Sequence, residues 1–437
     1  MFKRKWLLVF VATFILFCGW LSIGQLNRTA SATTTSPYAE MKLFTDVLSI
    51  IRSSYVEEVD LKDLIYGGIN GMLETLDPHS SFLDPETFKE LKTDTSGEFG
   101  GLGIEIAIRD DALTIIAPIE DTPAFRAGLM AGDQIVKIDD KLTKDIGIME
   151  AVKLLRGPKG STVTISVMRE SFDKPKAFTI TREIIKIESV KVHTLEDGYG
   201  YIRLSQFQER TTEDLRDGLE TLHRQNADHL KGLVLDLRNN PGGLLDQAVK
   251  VSDLFLDQGM IVYTEGREDG SEMKFVAHGD GTEPDYPLVI LINSGSASAA
   301  EIVAGALKDH RRAILLGTRS FGKGSVQTII PLSDNSGLRL TTARYFTPNG
   351  ISIQALGIEP DINVPQGELQ QVSEDSHFRE QDLENHFDNG SEVETEKKVA
   401  AEKFRLNEDE RDDYQLLRAL DLLKGWDVFS QIRSPAE

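Results

Sequence analysis

Cysteine is nearly absent from this chain, since Cys18 is the single one among 437 residues. No disulfide can form within one molecule, so stability must come from packing. Positive charge is also scarce, with 48 lysines and arginines against 70 acidic residues and a formal net charge of −22. Nucleic acids and anionic membrane surfaces attract basic patches, so we expect neither as a partner.

Histidines in metal-ligand spacing are lacking as well. The chain has eight histidines but no His-Glu-x-x-His motif, which argues against a metallopeptidase. A Gly-x-Ser-x-Gly elbow and a recognisable histidine triad are absent too. We therefore predict that the protein needs no metal and no organic cofactor.

One long apolar run stands near the beginning of the chain, from Trp6 to about Gly24, directly after Lys3, Arg4 and Lys5. Positive charge followed by such a run is typical of a signal peptide or a membrane anchor. The small residues at 30–32 offer a cleavage site, and we favour cleavage while a retained anchor stays open. Residues 1–32 thus predict export to the periplasm or the cell envelope.

The length predicts several domains, and the patterns favour an α/β multidomain protein. Residues 33–95 show helical periodicity, and one apolar stripe predicts a buried face: Phe44, Val47, Leu48, Ile51 and Tyr55. Residues 366–395 are polar and acidic and predict a linker. Residues 396–437 form a helical region whose leucines lie on one stripe: Leu416, Leu417, Leu420 and Leu423. That stripe predicts packing on its own domain or on a partner.

Residues 96–184 combine short strands with glycine turns. Consecutive backbone N–H groups beside glycines can form an anion site, and a neighbouring open strand edge can accept a peptide as an extra strand. The ordered pattern, with a Gly-Leu-Gly-Ile loop and a later Gly-Asp-Gln-Ile segment, resembles a PDZ domain. The resemblance implies that this loop binds the C-terminus of a protein substrate through four residues: Gly101, Leu102, Gly103 and Ile104.

Residues 185–365 predict an α/β core. Apolar strands at 232–237, 288–292 and 313–316 alternate with helices around 211–226, 244–256 and 299–308, which suits a sheet buried on both faces. Each strand is followed by a loop rich in small and polar residues, at 238–243, 293–301 and 319–324. Loops at the carboxyl ends of strands are where α/β sheets place their sites.

The second loop holds three serines, Ser294, Ser296 and Ser298. A serine at a helix start can attack a carbonyl while free N–H groups hold the oxyanion, but serine is also the common helix cap. Spacing alone leaves the choice among the three serines open. Lys323 in the third loop is the candidate base, provided burial lowers its pKa; a surface lysine in a glycine turn is the alternative. A phosphate loop is excluded, because Gly324 stands where Ser or Thr must bind magnesium.

Three motifs, in order after the PDZ-like region, resemble the carboxyl-terminal processing peptidases, also called tail-specific proteases. They are Asn-Pro-Gly-Gly at 240–243, Gly-Ser-Ala-Ser-Ala-Ala-Glu at 295–301 and Phe-Gly-Lys-Gly-Ser-Val-Gln at 321–327. The resemblance implies a serine endopeptidase with Ser298 as nucleophile and Lys323 as general base.

The same resemblance assigns supporting roles. Gly243 and the N–H of Ala299 match the oxyanion donors, and Gln327 matches a residue that orients the lysine. The even spacing of Lys323 and Gln327 along a strand predicts that both side chains lie on one side. Arg156 matches an arginine that couples the PDZ domain to the active site, and a plain hairpin-turn role is its alternative. The 77–82 segment also resembles a family motif, to which we assign a structural role.

Two other functions remain open. One is a PDZ scaffold that captures protein tails without cutting them. The other is a peptidase that is inactive until an adaptor protein docks on the C-terminal helix. We also predict a homo-oligomer.

Overall fold

The computed structural model describes residues 37–109, 112–144, 146–196, 198–227, 229–268, 270–367 and 408–433. The predicted signal or anchor segment and nearly all of the predicted linker lie outside the described residues. In the described ranges, no helix has the length and apolar character needed to cross a membrane. The chain divides into two compact units, one ending at Thr75 and the other beginning at Leu76.

The first unit contains helices α1 (Pro37–Ser54) and α2 (Leu61–Glu74), as the helical periodicity predicted. The side chain of Asp60 caps α2 by accepting the N–H of Lys62 at 2.7 Å. The prediction of a buried face on α1 is wrong, because Val47 is 46% exposed and Tyr55 58% exposed. The stripe has helical spacing, but few groups in the part of the chain that the structure describes cover it.

The second unit begins with β1 (Ser81–Leu83) and α3 (Pro85–Ser96), which lead into the PDZ-like region. Its elements are β2 (Glu98–Gly101), β3 (Ile104–Arg109), β4 (Ala112–Pro118), α4 (Pro123–Arg126), β5 (Gln134–Ile138), β6 (Lys141–Leu142), α5 (Ile148–Leu155), β7 (Thr162–Met168), β8 (Lys176–Thr181) and β9 (Glu183–Lys186). The main sheet has the order β3-β4-β5-β7-β8, with β6 paired to β5, so β3 is an edge strand. β2 pairs separately with β9.

The remaining elements form the core of the second unit. They are β10 (Val190–Glu196), β11 (Tyr199–Leu204), α6 (Thr211–Gln225), β12 (Gly232–Asp236), α7 (Leu245–Asp253), β13 (Gly259–Gly266), β14 (Met273–Ala277), β15 (Leu288–Ile292), α8 (Ala299–Asp309), β16 (Ile314–Gly317), β17 (Ser325–Pro331), β18 (Gly337–Phe346), β19 (Ile362–Asn363), α9 (Glu408–Asp412) and α10 (Tyr414–Arg433).

The central sheet has the order β10-β11-β12-β15-β16-β19 and is parallel from β11 onward. Strand alternation sends Leu233 and Leu235 to the face covered by helices α6, α7 and α8. Val234, between them, points to the other face with Leu291. Because helices cover both faces, the strands are apolar throughout, which explains the continuous apolar runs in the sequence.

The C-terminal helix α10 covers the second face of this sheet. Its leucines Leu416, Leu420 and Leu423 are at most 2% exposed and pack on Val234 and Leu291. The sequence left two options for the leucine stripe, its own domain or a partner. These three residues pack on their own domain.

A second, antiparallel sheet lies beside the first, with the order β1-β18-β13-β14 and β17 paired to β18. The β17–β18 ladder shifts register between Val326 and Gln327, which is a β-bulge. This hairpin directly follows the loop that contains Lys323.

Candidate active site

The three predicted loops meet at one edge of the central sheet. Strands β12, β15 and β16 are neighbours and run parallel, so the loops that follow them start side by side. Backbone bonds then link the loops: Ala297 donates to the carbonyl of Asn240 at 2.9 Å, and Phe321 donates to the carbonyl of Ser296 at 3.0 Å. The sequence order of the loops gives no hint of these contacts, but parallel strand order produces them.

The first two loops are also joined by asparagine side chains. The Oδ1 of Asn293 accepts the N–H of Asn239 at 2.9 Å, and the Nδ2 of Asn293 donates to Asn239 Oδ1 at 2.9 Å. Gly242 lies against the serine loop, where a Cβ at this glycine would come within 2.8 Å of Ser298 Cβ. Only a glycine allows this close approach, at φ +101°.

Glu301 connects the serine loop to the lysine loop. One carboxylate oxygen, Oε2, accepts the N–H of Ser298 at 2.8 Å and the N–H of Lys323 at 2.9 Å. The other, Oε1, accepts the Ser320 hydroxyl at 2.5 Å and the Gly322 N–H at 2.7 Å. The residue is fully buried, so these bonds replace the hydration that its charge loses. In the sequence Glu301 is only the last residue of the serine motif, and nothing there indicated this role.

Ser298 has a strained backbone at the start of α8, with φ 55° and ψ −114°. This combination of φ and ψ lies outside the left-handed helical region and costs a non-glycine residue about 1–3 kcal/mol, and strain of this kind clusters at active sites. The hydroxyl oxygen lies 3.5 Å from the Tyr345 hydroxyl, a weak hydrogen bond. Burial raises the pKa of Tyr345, so this phenol stays protonated at neutral pH; the Ser298 hydrogen bond opposes that shift and the charge of Glu301 adds to it. Tyr345 is a site residue that sequence reasoning missed, because it lies 47 positions away on β18.

Lys323 is half-buried, and its pKa lies below the ordinary value for lysine. Burial is the main cause, the positive charge of Arg339 adds to it, and the negative charge of Glu301 opposes it. Within the described residues its Nζ donates no hydrogen bond and forms no ion pair. An amine whose charge is disfavoured in this way is suited to accept a proton.

Two backbone N–H groups beside Ser298 have no acceptor among the described residues: those of Gly243 and Ala299. Gly243 has φ +143°, and its neighbours Gly242 and Leu244 form backbone bonds to Phe207 at 2.9 Å each. The loop is thus held at both sides of a free donor. Free, fixed N–H groups of this kind can bind a negatively charged oxygen.

Gln327 lies close to the site, but its position does not follow from strand alternation. Lys323 precedes β17, so the alternation along that strand does not extend to it and the even spacing does not fix a common side. The amide Nε2 donates to Ser325 Oγ at 2.9 Å and to Thr341 Oγ1 at 3.3 Å.

The predicted carboxylate loop lies between β2 and the edge strand β3. Gly103 has φ +78°, and its carbonyl accepts Ile119 N–H at 2.9 Å and Thr122 Oγ1 at 3.1 Å. Leu102 is buried, so its side chain anchors the loop. The open edge of β3 starts at Ile104, as peptide addition requires.

Arg156 ends helix α5 of the PDZ-like region. Its guanidinium lies 4.3 Å from the centre of the Phe99 ring on β2, a cation–π contact. The next residue, Gly157, donates to the carbonyl of Gly100 at 3.0 Å. Arg156 therefore links α5 to the β2–β9 ribbon.

Comparison with known proteins identifies the regions. Residues 198–364 match the model of peptidase family S41, residues 100–181 match a PDZ domain, and residues 21–87 match the activating protease CtpB N-terminal domain. A carboxy-terminal-processing protease of Bartonella bacilliformis is 46% identical, over 95% of this chain and 95% of that protein. A carboxyl-terminal-processing protease of Synechocystis is 40% identical, over 72% of this chain and 75% of that protein.

Among solved structures, the photosystem II D1 C-terminal processing protease is similar, with a TM-score of 0.44 and 31% identity over 75% of this chain and 93% of that chain. The Bartonella relative matches nearly the whole length of this chain, and the family model covers the three loops. The chain belongs to the carboxyl-terminal processing proteases of peptidase family S41 and is a serine-type peptidase.

Proposed function

We propose that the chain cleaves the C-terminal regions of exported proteins with a Ser298–Lys323 dyad. The observation that carries this proposal is the shared Glu301 carboxylate, which ties the backbone of Ser298 to that of Lys323. The strained Ser298 backbone and the lowered pKa of Lys323 support it independently.

In this mechanism, neutral Lys323 takes the hydroxyl proton of Ser298 as the serine oxygen attacks a peptide carbonyl. The N–H groups of Gly243 and Ala299 donate to the resulting oxyanion, and the Gln327 amide orients the lysine. Lys323 then protonates the leaving amine, and water hydrolyses the acyl-enzyme. Apo sites often show long catalytic hydrogen bonds, and closure around substrate would bring Lys323 Nζ to Ser298 Oγ.

The PDZ domain supplies substrate recognition in this proposal. The loop at 101–104 receives the terminal carboxylate, and the chain end adds as a strand to the edge of β3. The contact of Arg156 with Phe99 supports a coupling role, because it connects the helix beside this groove to the ribbon leading toward the core.

The test is cleavage of a protein with an apolar C-terminal tag by the purified chain. We expect Ser298→Ala and Lys323→Ala each to lose at least about a thousandfold in kcat. Ser294→Ala is the matched control, since this exposed serine lies in the same loop, and it should cleave like the wild type. Retained cleavage in either dyad variant would overturn the assignment, and tail binding without cleavage by the wild type would favour a scaffold.

We also propose export through the N-terminal segment, a homo-oligomer, and, as second candidate, activation by an adaptor. The exposed residues Val47 and Ile50 of α1 support self-association, because they leave apolar surface uncovered. On the C-terminal helix, the part open to an adaptor is the exposed end with Trp426 and Phe429. Cleavage by the isolated wild-type chain would speak against an obligatory adaptor.

A further inference from the structure

The turn from Asp77 to Ser81, which leads into β1, carries a partly buried hydrogen-bond network that has no part in the mechanism so far. The Asp77 carboxylate accepts the N–H of His79 at 2.8 Å, the N–H of Ser80 at 2.9 Å and the Ser80 hydroxyl at 2.8 Å. Burial alone would raise the pKa of Asp77, but these hydrogen bonds outweigh it and hold the pKa below its ordinary value. At neutral pH the Asp77 carboxylate is therefore ionised and can only accept hydrogen bonds.

The turn reaches across to the centre of strand β18. Asp77 Oδ1 also accepts the Thr341 hydroxyl at 3.1 Å, and Ser80 Oγ accepts the Thr341 N–H at 3.1 Å. β1 pairs with β18 directly beside this point, in the register Ser81 opposite Arg339. Thr341 is thus held through both its backbone and its side chain.

The number of available protons determines which group donates in the hydrogen bond between Thr341 and Asp77. Thr341 has one hydroxyl proton, and Asp77 can only accept, so the proton lies toward Asp77. The Thr341 oxygen must then accept, and it does so from Gln327 Nε2 at 3.3 Å. Because Nε2 donates to both Thr341 and Ser325, the carbonyl oxygen of the Gln327 amide is the atom that can accept a hydrogen bond from another donor. Asp77 therefore determines which way this amide faces.

The same turn also holds a cation. The carbonyl of His79 accepts Arg339 Nε at 3.1 Å. Arg339 lies two residues before Thr341, and alternation along a strand places their side chains on one face of β18. The positive charge of Arg339 acts on Lys323 and lowers its pKa, second only to burial.

We propose that the Asp77–Ser81 turn is a positioning element for the general base, in which Asp77 orients the Gln327 amide through Thr341 and His79 holds Arg339 beside Lys323. This inference rests on the proposed function, since it presumes that Lys323 is the base. The Gln327 oxygen then receives a lysine N–H and aims the nitrogen lone pair, while Arg339 favours the neutral amine.

The sharpest test is Thr341→Val, which removes the hydroxyl and leaves the turn intact. The matched control is Thr342→Val, because Thr342 is the next residue of the same strand and pairs with the exposed Thr328 hydroxyl at 2.7 Å. We expect kcat of Thr341→Val to fall about tenfold with little change in KM, because the general base loses alignment. Thr342→Val should keep the wild-type kcat. Equal kcat in the two variants would overturn the relay through Thr341.

The proposed effect of Arg339 on Lys323 is tested by the pH dependence of kcat. Arg339→Gln should move the rising limb of the profile to higher pH by about 0.5 to 1 unit, the size expected of one nearby like charge, and Arg339→Lys should restore it. An unshifted profile in Arg339→Gln would overturn the proposed effect of Arg339 on Lys323. Lys323→Ala distinguishes failure of the proposed function from failure of the positioning proposal. If this variant still cleaves, the proposed function fails. If it is inactive while both tests above are negative, only the positioning proposal fails.

Asp77→Ala tests the anchor itself, with Asp84→Ala as control. Asp84 caps α3 by accepting Thr87 N–H at 2.8 Å, so each change removes one carboxylate that accepts backbone N–H groups. Asp77→Ala should combine the kcat loss with the pH shift, whereas Asp84→Ala should lower only the thermal stability. A common loss of stability without any change in the pH profile of Asp77→Ala would show a purely structural turn.

Discussion

Removal of the carboxylate of Asp413, which stands directly before α10, should destabilise the core far more than removal of an acidic residue within that helix. Asp413 accepts Arg238 Nη1 at 2.9 Å and Nη2 at 2.6 Å, a bidentate pair between the C-terminal helix and the loop that leads to Gly243. The Arg238 side chain is 10% exposed and that of Asp413 25%. Asp413 Oδ1 also accepts Leu416 N–H at 3.1 Å and so caps α10.

The expected magnitude follows from these contacts. Breaking a fully buried ion pair costs about 3–5 kcal/mol. Here Asp413 is partly exposed, and Arg238 keeps its hydrogen bonds to Asp236. We therefore expect loss of this ion pair to lower the free energy of unfolding by about 2 kcal/mol. Loss of the cap adds about 1 kcal/mol. Asp413→Ala should therefore lower the free energy of unfolding by about 3 kcal/mol. Asp421→Ala, which breaks only the exposed pair with Arg418, should lower it by less than about 0.5 kcal/mol.

The assay is urea unfolding followed by far-UV circular dichroism, with hydrogen exchange of the α10 amides as a local readout. The difference between wild type and Asp413→Ala should also depend on pH. Burial would raise the pKa of Asp413, but the hydrogen bonds and charge of Arg238 outweigh it and lower the pKa. A lowered carboxylate pKa stabilises the fold above the unfolded value of about 4, so the difference shrinks as the pH falls below it. Equal losses for Asp413→Ala and Asp421→Ala, or a difference that does not change with pH, would refute the reasoning.

Two further predictions concern the oxyanion loop and self-association. Gly243→Ala should lower kcat by about 10²–10³, because the new Cβ would come within 2.1 Å of the Phe207 carbonyl and displace the N–H; Gly281→Ala, at φ +83° with open space around it, should retain the wild-type kcat. Val47→Ser with Ile50→Ser should reduce the sedimentation coefficient toward that of a single chain, whereas Met273→Ser, which is 50% exposed on β14, should not. Wild-type kcat in Gly243→Ala would exclude that donor, and a wild-type chain that already sediments as a monomer would exclude the oligomer.

Local sequence patterns predict much of the secondary structure. The apolar run at 288–292 became a buried parallel strand, and the helix predicted around 211–226 became α6. Short-range periodicity determines such elements, because each residue's environment follows from its nearest neighbours along the chain. The α1 stripe shows the limit, since helical spacing predicted the helix correctly and its burial wrongly.

The site divides in the same way. Ser298 and Lys323 stand in motifs that a single sequence displays, and strand order brought their loops together. Tyr345 stands in no such motif. The motif at 77–82 suggested only a structural role and did not reveal its partner, because Asp77 and Thr341 are 264 positions apart and meet through β1–β18 pairing. Sequence alone thus determined the family, the three apolar strands and the helices between them, and the three loops. Tertiary structure decided what surrounds Lys323, because long-range pairing brings Glu301 and Arg339 to the lysine and gives its charge that environment.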